Sequence, residues 1–455
     1  MFPDGDVLAT IVDKVEDRSA RGIAAALNRL ITTGTLPVGT RLPTVRDLAR
    51  ELGVSPTTVS EAWQSLAAVG AIESRGRSGS FVRAGTPDGR RRYRDVTEGS
   101  GEVALDLSTG TPDRALLPDL SSALADVARQ RLTRSYVDDP VLPALGATLR
   151  GRWPFRPEAL TVVDGAQDAL DRIASAVVRL GDRVVVEDPG FPPLFDLLDA
   201  LGAELVPVAL DDDGVRPDAL AEALGLDPVA VFLQPRAQNP TGASMPADRV
   251  RELARVLLSH PGVLVVEDDH AGDIASAEPV SLGRWLPDRT VLVRSFSKSH
   301  GPDLRLAAVG GAGAVVDSLV QRRLLGPGWS SRLLQAVLHA LLVDPVAQAQ
   351  VERAGTVYRQ RRRALTDALA HHGIALAPGD GINLWLPVAE ERRAQVAMAA
   401  AGVAVAPGHP FVVGSASGDH LRVTIGLVSD GHETLAAQLA AAAGGRRRAP
   451  LRPVV

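Results

Sequence analysis

Apolar positions recur at helical spacing in short blocks near the start of the chain. Residues 17–30 (DRSARGIAAALNRL) predict an amphipathic helix, followed by the Gly/Pro connector GTLPVGTRLP. In TVRDLARELGV, Val45, Leu48, Ala49 and Leu52 fall at i, i+3, i+4 and i+7 and make one apolar face. Thr44 is placed to cap this helix with Asp47 at its third position, and Gly53 supplies a left-handed stop. Ser55 caps the next helix and Pro56 fits its first position. Val59, Ala62, Trp63 and Leu66 then continue the core face. Two helices joined by so short a Gly-containing turn form a helix-turn-helix. AIESRGRSGSFV then predicts two short strands around a basic, Gly-rich tip, a wing.

The pattern changes twice more. Residues 84–103 are polar and contain Gly89-Arg90-Arg91-Arg92, which predicts an exposed linker. From 104 onward helical stretches alternate with the apolar runs RVVVED, AVFLQP, VLVVEDD, TVLVRS and RLAAVGG. Such alternation predicts an α/β domain, a mostly parallel sheet covered by helices. The expected organisation is a winged-helix domain at 1–83, a linker at 84–103, the α/β domain at 104–445 and a disordered tail at 446–455. A chain of 455 residues accommodates this arrangement.

Composition narrows the chemistry. With no cysteine, disulfides, zinc fingers, iron–sulfur clusters and thiol catalysis are excluded, and the nine histidines have no metal-ligand spacing. The first residues, MFPDGDVLATIVDK, are acidic where a signal peptide is basic, so a cytoplasmic protein is expected. Net charge is −5, yet residues 1–94 hold 14 Lys+Arg against 10 Asp+Glu. A basic head on an acidic body fits nucleic acid at one end. Only two of the 49 basic residues are lysine, Lys14 and Lys298. Arginine stays protonated and forms no imine, so a lysine in mid-chain invites a chemical reading.

The stretch from GTLPVGT through GSFV resembles the winged helix of the GntR family over about 50 residues. The resemblance implies that Thr57, Thr58 and Ser60 face the major groove of operator DNA. Arg41, Arg46, Arg75 and Arg77 would then hold phosphates or probe the minor groove. No cation lies between Ser55 and Val69, so the flanking arginines are expected to supply most of the affinity.

In the body, Lys298 lies in Ser295-Phe-Ser-Lys-Ser-His-Gly-Pro-Asp-Leu-Arg305, just after an apolar strand. Asp268 follows VLVVE, Asn239 lies in Gln238-Asn-Pro-Thr-Gly242, and Gly165-Ala166-Gln167 precedes a helix. Phe191 closes Glu187-Asp-Pro-Gly-Phe. Pyridoxal 5'-phosphate needs a lysine for an imine, an acid against the ring nitrogen, donors for the phosphate and a flat group on the ring face, and residues of these types occur here in a recognisable order. Lys298 forms the imine, Asp268 holds the ring nitrogen protonated and Asn239 donates to the phenolic oxygen. Ser295, Ser297, Arg305 and the helix-start amides of Gly165, Ala166 and Gln167 reach the phosphate, and Phe191 stacks on the ring. Together these motifs resemble the fold-type-I aminotransferases. Joined to the winged helix, PRAQNPTG, VVEDDH and SFSKSHGPDLRL resemble the MocR subfamily of GntR regulators.

The resemblance further implies that Arg422 grips a ligand carboxylate and that Tyr136 reaches the partner subunit's phosphate. It places His270 where the subfamily usually has a tyrosine against the ring oxygen, and Asn383 where a histidine is common. A histidine there is expected to titrate between about pH 5 and 8. The leading expectation is a homodimeric regulator that senses an amino compound, or the cofactor itself, in its body. Two alternatives stand beside it: a working aminotransferase with an autoregulatory head, and a DNA-binding protein whose body only dimerises.

Overall fold

The computed structural model describes residues 4–444 except 33, 69–70, 75–78, 83–91, 93–95, 97–102, 133–134, 136–137 and 415–417. Arg75, Arg77, Tyr136 and the tail 446–455 therefore lie outside the described residues. The chain divides into two compact units. One is Met1–Arg91 with Val178–Val184 and Phe195–Leu205; the other is Arg92–Val177 with Val185–Leu194 and Val206–Val455.

Local chemistry builds the first unit. Helix α1 (Asp4–Lys14) and helix α2 (Ala20–Thr32) precede the two short helices α3 (Val45–Leu52) and α4 (Pro56–Ala68). The Thr44 hydroxyl accepts from the Asp47 amide at 3.2 Å and donates to its carboxylate at 2.6 Å, fixing the first turn of α3. Gly53, at φ 67°, ends it by donating to the Ala49 and Arg50 carbonyls, a conformation that costs a side-chain-bearing residue more. Ser55 then caps α4 by accepting from the Thr58 amide at 3.1 Å. Of the faces expected to be apolar, Leu48, Ala49 and Leu52 on α3 and Val59, Ala62, Trp63 and Leu66 on α4 are buried, and Val45 is half-buried at the start of α3. The wing is an antiparallel pair, β1 (Ile72–Ser74) and β2 (Ser80–Val82), with Ile72 opposite Val82. Helix α1 was not anticipated, although Val7 and Ile11, both buried, stand one turn apart on it.

The body holds two sheets. Its strands are β3 (Leu105–Leu107), β4 (Ala159–Val163), β5 (Arg183–Asp188), β6 (Glu204–Asp211), β7 (Gly214–Val215), β8 (Ala230–Leu233), β9 (Leu264–Asp269), β10 (Thr290–Ser295), β11 (Ala307–Gly311), β12 (Asn383–Val388), β13 (Val403–Pro407) and β14 (Asp419–Thr424). The large sheet has the order β4-β11-β10-β9-β8-β5-β6-β7. β8, β9 and β10 run parallel, and β11 is antiparallel to both β10 and β4, so the sheet is mixed. Every residue of β8 and β10 is buried, as strands covered on both faces require. The small sheet is β12-β14-β13-β3. Strand β9 ends in Glu267-Asp268-Asp269 with His270 next, and β10 leads directly to Lys298. Ligands in parallel α/β sheets gather at such carboxyl ends.

The exposed-linker expectation for 84–103 needs correction at Val96. This residue is 5% exposed and packs against Ala406 and Phe411, an apolar side chain taken out of water within an otherwise polar stretch. Among the described residues no helix is long and apolar enough to cross a membrane.

Candidate functional site

A cleft of about 330 Å³ in the body is lined by Lys298, Ser297, Asn239, Phe191, Arg305 and Arg422, six of the residues singled out from sequence. Thr109, Gly110, Asn383, Phe411 and the linker residue Val96 complete much of its wall.

Asp268 is buried beside Lys298, and the two attract: the lysine works against the burial that lifts the Asp268 carboxyl to about 6. Its Oδ2 accepts from Gln234 Nε2 at 2.8 Å, while Oδ1 is buried without a hydrogen-bond partner. An unpaired buried carboxylate oxygen is costly, and a protonated ring nitrogen is the donor it lacks. Gln234 also accepts the Asn239 amide on its Oε1 at 2.8 Å. One glutamine side chain thus fixes both Asp268 and Asn239, a role the sequence reading missed. Behind it Glu187 accepts from the Gln234 amide and Gln238 Nε2, both at 3.1 Å, and burial lifts this carboxyl to about 8.

Asn239 Oδ1 accepts from Asn383 Nδ2 at 3.4 Å, and Asn383 Oδ1 accepts from Thr424 Oγ1 at 3.2 Å. Arg422 is buried, donates to the Ser108 carbonyl and lies 5.2 Å above the Phe411 ring. Burial lowers Lys298 to about 8, with Asp268 opposing and Arg422 assisting.

At the other end Gly165, at φ 106°, precedes the helix Ala166–Val177. A Cβ there would lie 3.0 Å from Arg305 Nη2, so only glycine lets that guanidinium lie against the helix start. Arg323 is buried behind it and donates to Asp164 and Asp168 at 3.1 Å each, and to Ser330 at 3.0 Å. Ala166 is half-buried and Gln167 exposed in the first turn; Ser295 is buried, and its hydroxyl accepts from the Ser297 amide at 3.3 Å. This donor set, with its helix N-terminus, suits a phosphate group. The residues present fit pyridoxal phosphate.

His270 departs from expectation. Its Nε2 is 2.8 Å from the Ala237 carbonyl and its Nδ1 2.8 Å from Lys298 Nζ. Burial, helped by the Lys298 charge, pushes the imidazole down to about 3, so it does not titrate between pH 5 and 8 as its residue type suggests. Next to it Asp269 is buried in ion pairs with Arg236 at 2.7 Å and Arg294 at 3.2 Å. Burial alone raises its carboxyl, yet the two arginines hold it below the usual range.

In the winged helix Thr57 is exposed, and Thr58 and Ser60 are half-buried. The Thr58 hydroxyl lies 2.9 Å from that of the capping Ser55. Arg41 and Arg46 are exposed.

A family model described as aminotransferase class I and II matches residues 102–439, and one described as bacterial regulatory proteins, gntR family, matches 19–82. The chain is 36% identical to the vitamin B6 salvage pathway transcriptional repressor PtsJ of Salmonella typhimurium, over 93% of this chain and 98% of that protein. It is 27% identical to the probable rhizopine catabolism regulatory protein MocR of Rhizobium meliloti, over 77% of each. Among solved structures, LysN, the alpha-aminoadipate aminotransferase of Thermus thermophilus complexed with N-(5'-phosphopyridoxyl)-L-leucine, matches at a TM-score of 0.69 and 25% identity. That match covers 78% of this chain and 94% of LysN.

Fold and cleft together define a GntR winged helix carried by a fold-type-I aminotransferase-like domain, a domain class that binds pyridoxal phosphate. The chain belongs to the MocR-type transcription regulators of the GntR family.

Proposed function

We propose that the protein regulates transcription by holding operator DNA with its winged helices while its body binds pyridoxal phosphate at Lys298. There it senses an amino compound or the cofactor itself. The observation that carries this reading is Asp268 Oδ1, a buried carboxylate oxygen without a partner beside the body's one lysine. When bound, the cofactor supplies an aldehyde carbon that an amine nitrogen can join and a ring that withdraws electrons. Asp268 keeps the ring nitrogen protonated, Asn239 donates to the ring oxygen, and Phe191 covers the ring face. Ser295, Ser297, Arg305 and the amides of Gly165, Ala166 and Gln167 hold the phosphate. Arg422, its guanidinium backed by Phe411, takes the carboxylate of an amino-acid-like effector.

In this reading the protein works in the cytoplasm as a homodimer, with Tyr136 of each subunit reaching the other's phosphate. Thr57, Thr58 and Ser60 read bases, while Arg41, Arg46, Arg75 and Arg77 hold the DNA backbone or enter the minor groove. The name of PtsJ, a repressor of a vitamin B6 salvage pathway, supports the cofactor itself as one signal.

Borohydride reduction of the loaded protein is expected to fix one cofactor per subunit on Lys298, located by mass spectrometry. An amino compound added to the unreduced protein should change its affinity for operator DNA without steady release of keto acid. An adduct on Lys14, or none, rules out the site. Sustained turnover with an amino donor and a keto acid rules out the regulator in favour of an aminotransferase.

A further inference from the structure

The contact between His270 and Lys298 has a fixed direction. The Ala237 carbonyl can only accept, so the ring hydrogen of His270 is on Nε2. That carbonyl is itself held in place: Ala237 has φ 49°, and its amide donates to the Ser244 hydroxyl at 2.9 Å. The buried imidazole keeps no second hydrogen at neutral pH. Nδ1 is therefore a bare lone pair, and Lys298 Nζ, 2.8 Å away, must be the donor. Around this pair Asp268 and Arg422 act on the lysine, and Asp269 and Arg236 act on the imidazole.

We propose that His270 is a positioning residue that parks Lys298 whenever the lysine is not bonded to the cofactor, holding its nitrogen as a hydrogen-bond donor and so withholding it as a base. The proposal rests on the regulator reading and gives it a cause. An effector amine would free Lys298 by exchange: the carbon–nitrogen bond to the lysine would break as the bond to the effector nitrogen forms. The two hydrogens given up by the effector's ammonium would pass to the lysine nitrogen, which keeps the imine hydrogen and ends as an ammonium. Below about pH 8 Lys298 then stands against Nδ1 mainly as an ammonium whose lone pair is occupied, and in that form it cannot remove the hydrogen from the effector's α-carbon. A hydroxyl at this position could turn between donating and accepting towards the lysine; Nδ1 of this imidazole can only accept. The site exchanges amines but does not complete the transfer of an amino group.

The test uses the full-length, cofactor-free protein with 15N at the lysine Nζ. Two lysines give two resonances, and Lys14→Arg assigns them. Lys298 is expected to titrate near 8 in the wild type. In His270→Phe, which has no acceptor, it should titrate lower by about one unit or more, the worth of a hydrogen bond to a charged group. His270→Asn, whose side-chain oxygen can stand where Nδ1 was, should restore the wild-type value. In a second sample with 15N at the histidine ring nitrogens, assigned by the loss of signals in His270→Phe, the shift of wild-type His270 Nδ1 should be that of an unprotonated ring nitrogen. A Lys298 titration indifferent to His270→Phe, or a protonated Nδ1, overturns the proposal.

With cofactor loaded and L-alanine as probe, the wild type should release no pyruvate, and His270→Phe up to one equivalent per subunit. Pyruvate at one equivalent from both proteins also overturns the proposal. DNA affinity that ignores every amine tried, with the resonances as expected, sinks the regulatory reading and leaves the parked lysine standing.

Discussion

Asp268 is buried with one oxygen on Gln234 and the other unpaired, and its neighbours at the strand ends are also carboxyl groups taken out of water. Burial raises Asp268 to about 6, Glu267 to about 7 and Glu187 to about 8. Unfolded, such groups titrate near 4. Between about pH 4 and these raised values the native state holds more protons than the unfolded chain, so these three groups make stability fall as pH rises through that window. Asp268→Asn removes one of the three. The cofactor-free variant is expected to melt higher than the wild type at pH 8, with the gap closing below about pH 4. It should bind pyridoxal phosphate about tenfold or more weakly, having lost a charged hydrogen bond. Equal melting differences at both pH values would refute the assignment, as would unchanged cofactor affinity. Lys298 was legible because lysine is so rare here, and Asp268 and Asn239 because they close a strand and an Asn-Pro turn. Gln234 was not, since an amide side chain gains its role only from the two partners the fold brings to it. The partners of His270 were equally hidden, because one is a backbone carbonyl and the other lies 28 residues away in sequence.

Elements with caps were readable; elements paired over long distances were not. Helices α3 and α4 announce themselves through Thr44, Gly53, Ser55 and a regular apolar face, and the wing through its Gly-rich tip. Helix α1 escaped because its segment was read for charge alone. The small sheet was missed for three reasons. Its strand β13 alternates only Val and Ala, with no polar position, β12 contains Pro387, and β3 pairs with β13 from about 300 residues upstream. The antiparallel turn-back of β11 has no local signature either. Two substitutions test how the elements serve the sites. Thr44→Ala removes the cap of α3 and is expected to cost about 1 kcal/mol of head stability in denaturant unfolding, with cofactor binding unchanged. Gly165→Ala forces φ 106° on a residue with a Cβ and presses it to 3.0 Å from Arg305. It should weaken cofactor affinity, and with it that of free phosphate as a competitor, while the far-UV spectrum stays the same. Normal phosphate affinity in Gly165→Ala would remove Arg305 and the helix start from the cradle.

At the scale of the whole molecule the proposed division of labour is electrostatic in the head and chemical in the body: arginines hold DNA, and a lysine holds the cofactor. Arg46 is exposed in the first turn of α3, the first helix of the helix-turn-helix. Arg46→Ala in the full-length protein should weaken binding to all DNA sequences alike and reduce the slope of log affinity against log salt by about 0.9, one phosphate contact. A changed base preference at one position with an unaltered slope would instead make Arg46 a base reader. The scarcity of lysine has a practical consequence of another kind. Lys14 is exposed at the end of α1, with 61% of its side chain in water, whereas Lys298 is enclosed in the cleft. An amine-reactive blue-emitting dye will therefore find Lys14 among the side chains, and the pigment that the proposed site puts on Lys298 would quench that dye by resonance energy transfer. The protein thus arrives with attachment points for a donor and an acceptor, one in the head and one in the body, and its motions on DNA can be followed without adding a single cysteine.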